Sequence, residues 1–231
     1  MEEPAPGAAP PPSGGLRLPF DVLVAPQRAF ATIAATRQWA PAYCVLVVLG
    51  LLELWLLAPG LAHVLAVQTH GGAPAETAGV VRSDLLQEGA MRLLGPFAAW
   101  GFVAVLLAVA TIGSRNPPPP FATFFSLCMN CAIPAAIGGV VSAAAIRLHD
   151  PASFRTVNDL LLAAPISLGS LRPGGQPREV AFLAYWDVFT LWTYALIGFG
   201  YAALAKISPA PALLLALTIG LSFALMFAVA S

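Results

Sequence analysis

One ionisable side chain interrupts a long apolar stretch near the start of this sequence. Glu53 lies within L-G-L-L-E-L-W-L-L. A charge at the centre of a bilayer costs about 2.5–3.5 kcal/mol on insertion scales, so it normally faces the protein interior and has a partner. Two interpretations follow: a proton or cation relay through Glu53, or one hydrogen bond to Asn130 or a hydroxyl that fixes helix packing. No second acid and no basic partner is apparent in the middle of another apolar run.

A second polar position occurs in F-A-T-F-F-S-L-C-M-N-C-A-I-P, which contains Asn130 and ends at Pro134. Proline has no amide hydrogen, so the carbonyl of Asn130 is freed and a kink is predicted, satisfied by neighbouring side chains or water. Small residues at helical spacing predict close helix packing in the third and fourth apolar runs. The glycines in question are Gly138, Gly139, Gly198 and Gly200.

Asp187 and Lys206 bracket the fourth apolar run. A carboxylate at the first turn of a helix can accept hydrogen bonds from unpaired N–H groups, and a cation suits the opposite end. We therefore predict that Asp187 anchors the start of this helix, and we keep it as a candidate contact for a lipid or a partner.

No pattern in the chain indicates catalysis. Cys128 and Cys131 are spaced like a redox or metal pair, but no further cysteine or histidine ligands follow them. Nucleotide-binding, serine-hydrolase and zinc-protease motifs are absent in any usable context. The net charge is +0, which argues against nucleic acid. We expect a protein that is not an enzyme and uses no cofactor, metal or nucleic acid.

The composition is that of a protein embedded in a lipid membrane. Of the 231 residues, 58% are hydrophobic and 10% are charged, whereas soluble domains carry about 25% charged residues. The apolar runs are close to the roughly 20 residues that span a bilayer as helix, and they do not alternate as barrel strands do. We predict an all-α membrane protein with five spans: Ala40–Val64, Ala90–Ile112, Phe121–Ile146, Ala184–Ala205 and Ala210–Ala230.

The remaining segments differ in character. Residues 1–15 are rich in proline, alanine and glycine, which predicts a disordered tail. Residues 16–39 predict a short amphipathic helix in the membrane interface, with Phe30, Ile33 and Ala34 on one face; a solvated linker is the alternative. The link Arg147–Leu183 is too short in its apolar part to span, and either rests on the interface or re-enters partway.

Basic residues in short loops set the orientation of membrane proteins. By raw count the two sides are nearly equal, with six basic residues on one and five on the side that bears the N-terminus: Arg17, Arg28, Arg37, Arg115 and Lys206. Only the N-terminal side has tight loops whose basic residue has no opposing acid. This distribution favours a cytoplasmic N-terminus. The single lysine and the abundance of alanine, glycine and proline favour a bacterial source, and hence the inner membrane.

Three stretches together resemble the Yip1-domain family of membrane proteins. They are L-V-A-P-Q-R-A-F-A-T-I (Leu23–Ile33) leading into Trp39-Ala40-Pro41, the run Phe121–Pro134, and D-x-F-x-L-W with L-I-G-x-G-x-A and K-x-S (Asp187 to Ser208). The resemblance implies a five-helix bundle, residues 40–231, with a cytoplasmic N-terminal region. Eukaryotic members are linked to Rab-type GTPases and to traffic between endoplasmic reticulum and Golgi.

The resemblance and the missing catalytic motifs lead to one expected function. We expect a non-enzymatic membrane scaffold or adaptor that organises lipids or membrane partner proteins, as a homo-oligomer or with another membrane protein. The alternative is a small transporter or channel component that uses Glu53 and the broken third helix, since broken helices with buried polar groups build such sites.

Overall fold

The protein is a helical bundle. A computed structural model describes residues 15–69, 74–112 and 117–230, and within these ranges it has no strand beyond an isolated bridge. Five helices are long and apolar enough to cross a membrane, which confirms the predicted all-α bundle. The predicted disordered tail, apart from Gly15, and the predicted loop residue Arg115 lie outside the described residues.

The described α-helices follow one another along the chain with short connections. In order they are α1 (Arg17–Val24), α2 (Pro26–Thr36), α3 (Ala40–Gln68), α4 (Pro74–Ala110), α5 (Phe121–Cys131), α6 (Ile133–Arg147), α7 (Val157–Ala163), α8 (Pro177–Ala184), α9 (Val188–Ala205) and α10 (Pro209–Ala230). The membrane spans are α3, α4, α5 with α6, α9 and α10.

The second span is the one that differs most from its prediction. The apolar run suggested a start at Ala90, but α4 begins at Pro74 and its span at Ala78. The charged residues before Ala90 concealed this extension, because a hydropathy criterion excludes them although they are good helix formers. As a result Arg92 lies well inside a helix and not at its end.

The third span is broken near its middle. α5 ends at Cys131 and α6 begins at Ile133, one residue before the proline that was predicted to kink it. The amide of Ala135 donates to Thr193 Oγ1 of α9 at 3.1 Å. A side chain of a neighbouring helix therefore bonds a backbone amide beside the break. The predicted freeing of the Asn130 carbonyl stays a prediction.

The lead-in before the first span is a pair of short helices, α1 and α2, packed onto the bundle. Phe30 and Ile33 are 5% and 0% exposed and belong to the main core together with residues of α5 and α9. The prediction that this face rests in lipid is thus corrected, since protein covers both side chains. Ala34 is exposed, and the depth of α2 in a membrane stays a prediction.

The link Arg147–Leu183 folds over one end of the bundle. We call residues 151–184, which contain α7, α8 and two short 3-10 turns, the cap segment. Its Phe154 and Leu160 are buried against Val64 of α3 and Ile146 of α6. These contacts exist because Gly60 of α3 leaves room: a Cβ there would lie 3.1 Å from Leu160 Cδ2.

The chain direction alternates from span to span, so the two ends of the bundle collect different segments. The lead-in and the turn Lys206–Ser208 between α9 and α10 lie at one end, which we call the lead-in end. The cap segment and the end of α10 lie at the other. The turn of three residues requires α9 and α10 to be the antiparallel hairpin that was predicted.

Candidate functional site

An ion pair lies inside the bundle between the first two spans. Arg92 Nη1 of α4 donates to Glu53 Oε2 of α3 at 2.9 Å, and the two side chains are 29% and 17% exposed. Glu53 is the fourteenth of the 29 residues of α3, and Arg92 is the fifteenth of the 33 residues of its span. Both charges therefore lie well inside long apolar helices, and an unpaired charge on a membrane-spanning helix would be costly.

This pairing corrects both details of the sequence interpretation of Glu53. The carboxylate does not bond to Asn130 or to a hydroxyl, and a basic partner does exist mid-helix. Arg92 was missed because its run was predicted to begin two residues earlier, at Ala90, which placed the arginine at the membrane edge. The spacing of Glu88 and Arg92, one helical turn apart, was the signal that α4 begins earlier.

Arg92 also holds a second carboxylate. Its Nη2 lies 3.0 Å from Glu88 Oε1 on the same helix, and Glu88 is 39% exposed. The Nε of Arg92 is buried and has no hydrogen-bond partner among the described residues. Two acids and one guanidinium leave the cluster with a formal charge of −1 when both acids are ionised.

Glycines create the space for this pair. A Cβ added at Gly139 of α6 would lie 2.7 Å from Glu53 Oε2, closer than real Cβ contacts allow. On the other side, the aliphatic stem of Arg92 lies against Gly50 of α3, at an ordinary 3.5 Å from where its Cβ would be. Gly139 thus packs against the charge itself, although it was predicted only as a helix-packing residue.

A groove runs along both sides of the pair. Its two parts have volumes of about 540 Å³ and 450 Å³. Both are lined by Glu53, Arg92, Gly139 and Asp187. Most other lining residues are apolar, among them Leu57, Ala136, Leu161 and Phe227. The groove is therefore lined by the charged Glu53–Arg92 pair together with mostly apolar side chains.

Asp187 has the helix-capping geometry that its position predicted. Its Oδ1 accepts the Thr190 amide at 2.7 Å, and it is the N-cap of α9. A backbone bridge joins Asp187 to Ser167 of the cap segment. No ion pair links Asp187 to another described residue, but its place in the groove wall brings it into the same site as Glu53.

Asn130 is not part of this site. It is 1% exposed, and its Nδ2 donates to the carbonyls of Gln38 and Ser126 at 2.9 Å and 2.8 Å. Its Oδ1 has no partner in the described part of the chain. These bonds tie the lead-in to the third span, so the structure separates Asn130 from Glu53 in place and in role.

The remaining glycines allow close helix contacts. A Cβ at Gly138 would lie 2.8 Å from Phe189 Cβ, and one at Gly198 would lie 2.9 Å from Leu213 Cα. A Cβ at Gly200 would collide with Leu127 Cδ1 of α5. Pro134 is buried in the first turn of α6. Their positions fit the packing and kink assignments made from the sequence.

The described residues contain no group of three or more histidine, cysteine, aspartate or glutamate side chains that could hold a metal ion. Cys128 and Cys131 are free thiols at 0% exposure. Comparisons with protein-family models, with curated proteins and with solved structures give no match to this chain. The site itself must therefore carry any argument about function.

Proposed function

We propose that this chain is a non-enzymatic integral membrane scaffold of the Yip1-like type, and that it organises lipids or membrane partner proteins through the Glu53–Arg92 groove. The observation that carries the proposal is a groove between the spans that combines the Glu53–Arg92 ion pair with mostly apolar lining residues. A membrane amphiphile, with one polar group and an apolar body, matches both features. The resemblance in sequence supports the family and the membrane role.

The unused donor of Arg92 strengthens this assignment. A buried donor without an acceptor costs about 1–3 kcal/mol, and the guanidinium can make further hydrogen bonds in its plane. A polar group that enters the groove would supply the missing acceptor for Nε once the guanidinium turns toward it. The two carboxylates already on Arg92 keep the free groove from attracting anions strongly, so the occupant is recognised by hydrogen bonding more than by charge.

The direct test is photocrosslinking with a lipid that carries a photoreactive acyl chain, in liposomes containing the purified protein. We expect labelling of peptides that line the groove, including the one with Met91. Ala136→Phe places a bulky side chain in the groove wall and should remove this labelling. Ala98→Phe, on an exposed position of α4, is the matched control. Labelling that is spread evenly over the spans and is indifferent to Ala136→Phe would contradict the proposal.

One observation favours a second candidate, a proton or cation transporter. Acids and a base succeed one another inside the membrane as Glu53, Arg92 and Glu88, and the third span beside them is broken. Flux measured in liposomes separates the two functions. Proton or cation flux that Glu53→Gln abolishes would replace the scaffold proposal with this one.

Orientation and membrane are part of the proposal. We place the N-terminus in the cytoplasm and the protein in a bacterial inner membrane. The support is the excess of basic residues at the lead-in end, where Arg17, Arg28, Arg37 and Lys206 face Asp21 as the one acid among the described residues.

A further inference from the structure

A second groove lies at the lead-in end, away from the Glu53 site. It has a volume of about 660 Å³ and runs between α2 and α9. Its walls are almost entirely apolar and include Phe30, Ala34, Leu196, Phe199 and Ile207. None of its lining residues also lines the groove around Glu53.

The position of this second groove relative to the membrane follows from the spans. α9 ends at Ala205 and α10 begins at Pro209, and both are membrane spans. The groove contains Pro209 at one end and Leu196 at the other, nine residues or about 14 Å of helix before Ala205. It therefore runs from the membrane boundary into the hydrocarbon region, where an acyl chain would lie.

A basic residue lies at the boundary end of this groove. Lys206 directly precedes the lining residue Ile207, is exposed, and has a left-handed backbone with φ of 55°. None of the described ion pairs involves it. Arg37 is also exposed at this end and is likewise outside those pairs. Lys206 thus lies next to the membrane-boundary end of the apolar groove. A phospholipid has the same arrangement, with its charged headgroup at the boundary and its acyl chains extending inward.

We propose that the α2–α9 groove binds an anionic phospholipid, with an acyl chain against the exposed lining residues Phe199 and Ala203 and the phosphate at Lys206. Charge complementarity selects this occupant, because the headgroup cation of a zwitterionic lipid competes with Lys206 for the phosphate, and a free phosphate would leave the groove empty. Basic residues at a membrane surface each contribute about 1 kcal/mol to binding of anionic lipid. This inference does not depend on what occupies the Glu53 groove.

The test is a titration of the purified full chain in mild detergent with phosphatidylglycerol or phosphatidylcholine of equal chain length, read by native mass spectrometry. Phosphatidylglycerol should be retained more strongly. Lys206→Asn keeps a residue that tolerates the left-handed backbone and should weaken phosphatidylglycerol binding about fivefold, without changing phosphatidylcholine. Arg147→Gln, which removes an exposed charge at the opposite end, should change neither.

Two further variants separate this site from the first groove. Ala203→Phe fills the α2–α9 groove at an exposed lining position and should reduce retention of both lipids. In an Ala136→Phe background, which blocks the Glu53 groove, Lys206→Asn should still weaken phosphatidylglycerol binding about fivefold. The melting temperature in detergent alone checks that each variant folds. Equal retention of the two lipids by the wild type, or full phosphatidylglycerol binding by Lys206→Asn, would overturn the inference.

Discussion

At the scale of single residues, Gly139 determines where the Glu53 carboxylate can lie. Gly139→Ala would put a methyl group 2.7 Å from Glu53 Oε2, and the carboxylate would have to move away from Arg92. We expect a loss of about 1–3 kcal/mol in the free energy of unfolding, as for other overpacked sites. Chemical unfolding in mixed detergent micelles measures it.

A control for this variant exists on α4. A Cβ at Gly95 would have nothing within 4 Å, so Gly95→Ala should be neutral or should gain up to about 1 kcal/mol of helix propensity. Glu53→Ala removes the colliding group and should make Gly139→Ala nearly harmless in the double variant. A Gly139→Ala loss that persists without the Glu53 carboxylate would show that the collision lies elsewhere.

The Glu53–Arg92 pair allows a second prediction at this scale. Arg92→Gln leaves two acids without their cation, and breaking a buried pair costs about 3–5 kcal/mol. The double variant Glu53→Gln with Arg92→Gln should recover part of this stability, because only Glu88 then remains charged and it is more exposed. Arg82→Gln, at an exposed position of the same helix, is the control. Strictly additive losses for Glu53→Gln and Arg92→Gln would mean that the pair contributes no coupling.

At the scale of elements, the capping box of α7 makes the cap segment sensitive to acid. Asp159 accepts the amides of Arg155 and Thr156 at 2.8 Å each, and these bonds, that of Arg155 first, lower the pKa of its carboxyl below the ordinary value. A depressed pKa stabilises the fold above the unfolded value, about 3.9, and the contribution disappears as the pH falls through the folded value.

We therefore expect α7 to loosen only below about pH 4, the ordinary range of an aspartate. Asp159→Asn lacks the charge at every pH and should loosen α7 already at neutral pH, seen as faster trypsin cleavage after Arg155. Glu179→Gln removes an exposed acid of α8 and serves as the control. Cleavage after Arg155 at the wild-type rate in Asp159→Asn would show that the capping box does not hold the segment.

The elements also show what a sequence can predict in such a protein. Five spans were predictable, because lipid demands continuous apolar runs of a fixed length. The start of α4 was not, because its first four turns are polar helix that hydropathy cannot recognise. Arg92 could not be predicted as the partner of Glu53 without knowing where α4 begins. Similarly, the burial of Phe30 depends on the packing of α2 onto α9, which requires Gly200 on another element.

At the scale of the whole molecule, the two ends of the bundle differ in charge and construction. The lead-in end has an excess of basic residues and carries the α2–α9 groove, whereas the cap end has a folded segment with both signs of charge. With five spans among the described residues, the start of α3 and the end of α10 lie at opposite ends of the bundle. In the orientation that we propose, the lead-in end faces the cytoplasm, as the positive-inside rule favours.

This orientation predicts which cysteines an impermeant maleimide reaches in intact cells. Cys128 and Cys131 are buried at 0% exposure, so only the exposed Cys44 needs replacement before single reporters are introduced. Gln176→Cys, exposed in the cap segment, should be labelled from outside, and Ser208→Cys, exposed in the turn before α10, only after the membrane is opened. The reverse pattern would put the lead-in end outside the cell. Labelling of both reporters in intact cells would contradict the assignment of α9 as a span, because α9 is the candidate span that separates Gln176 from Ser208.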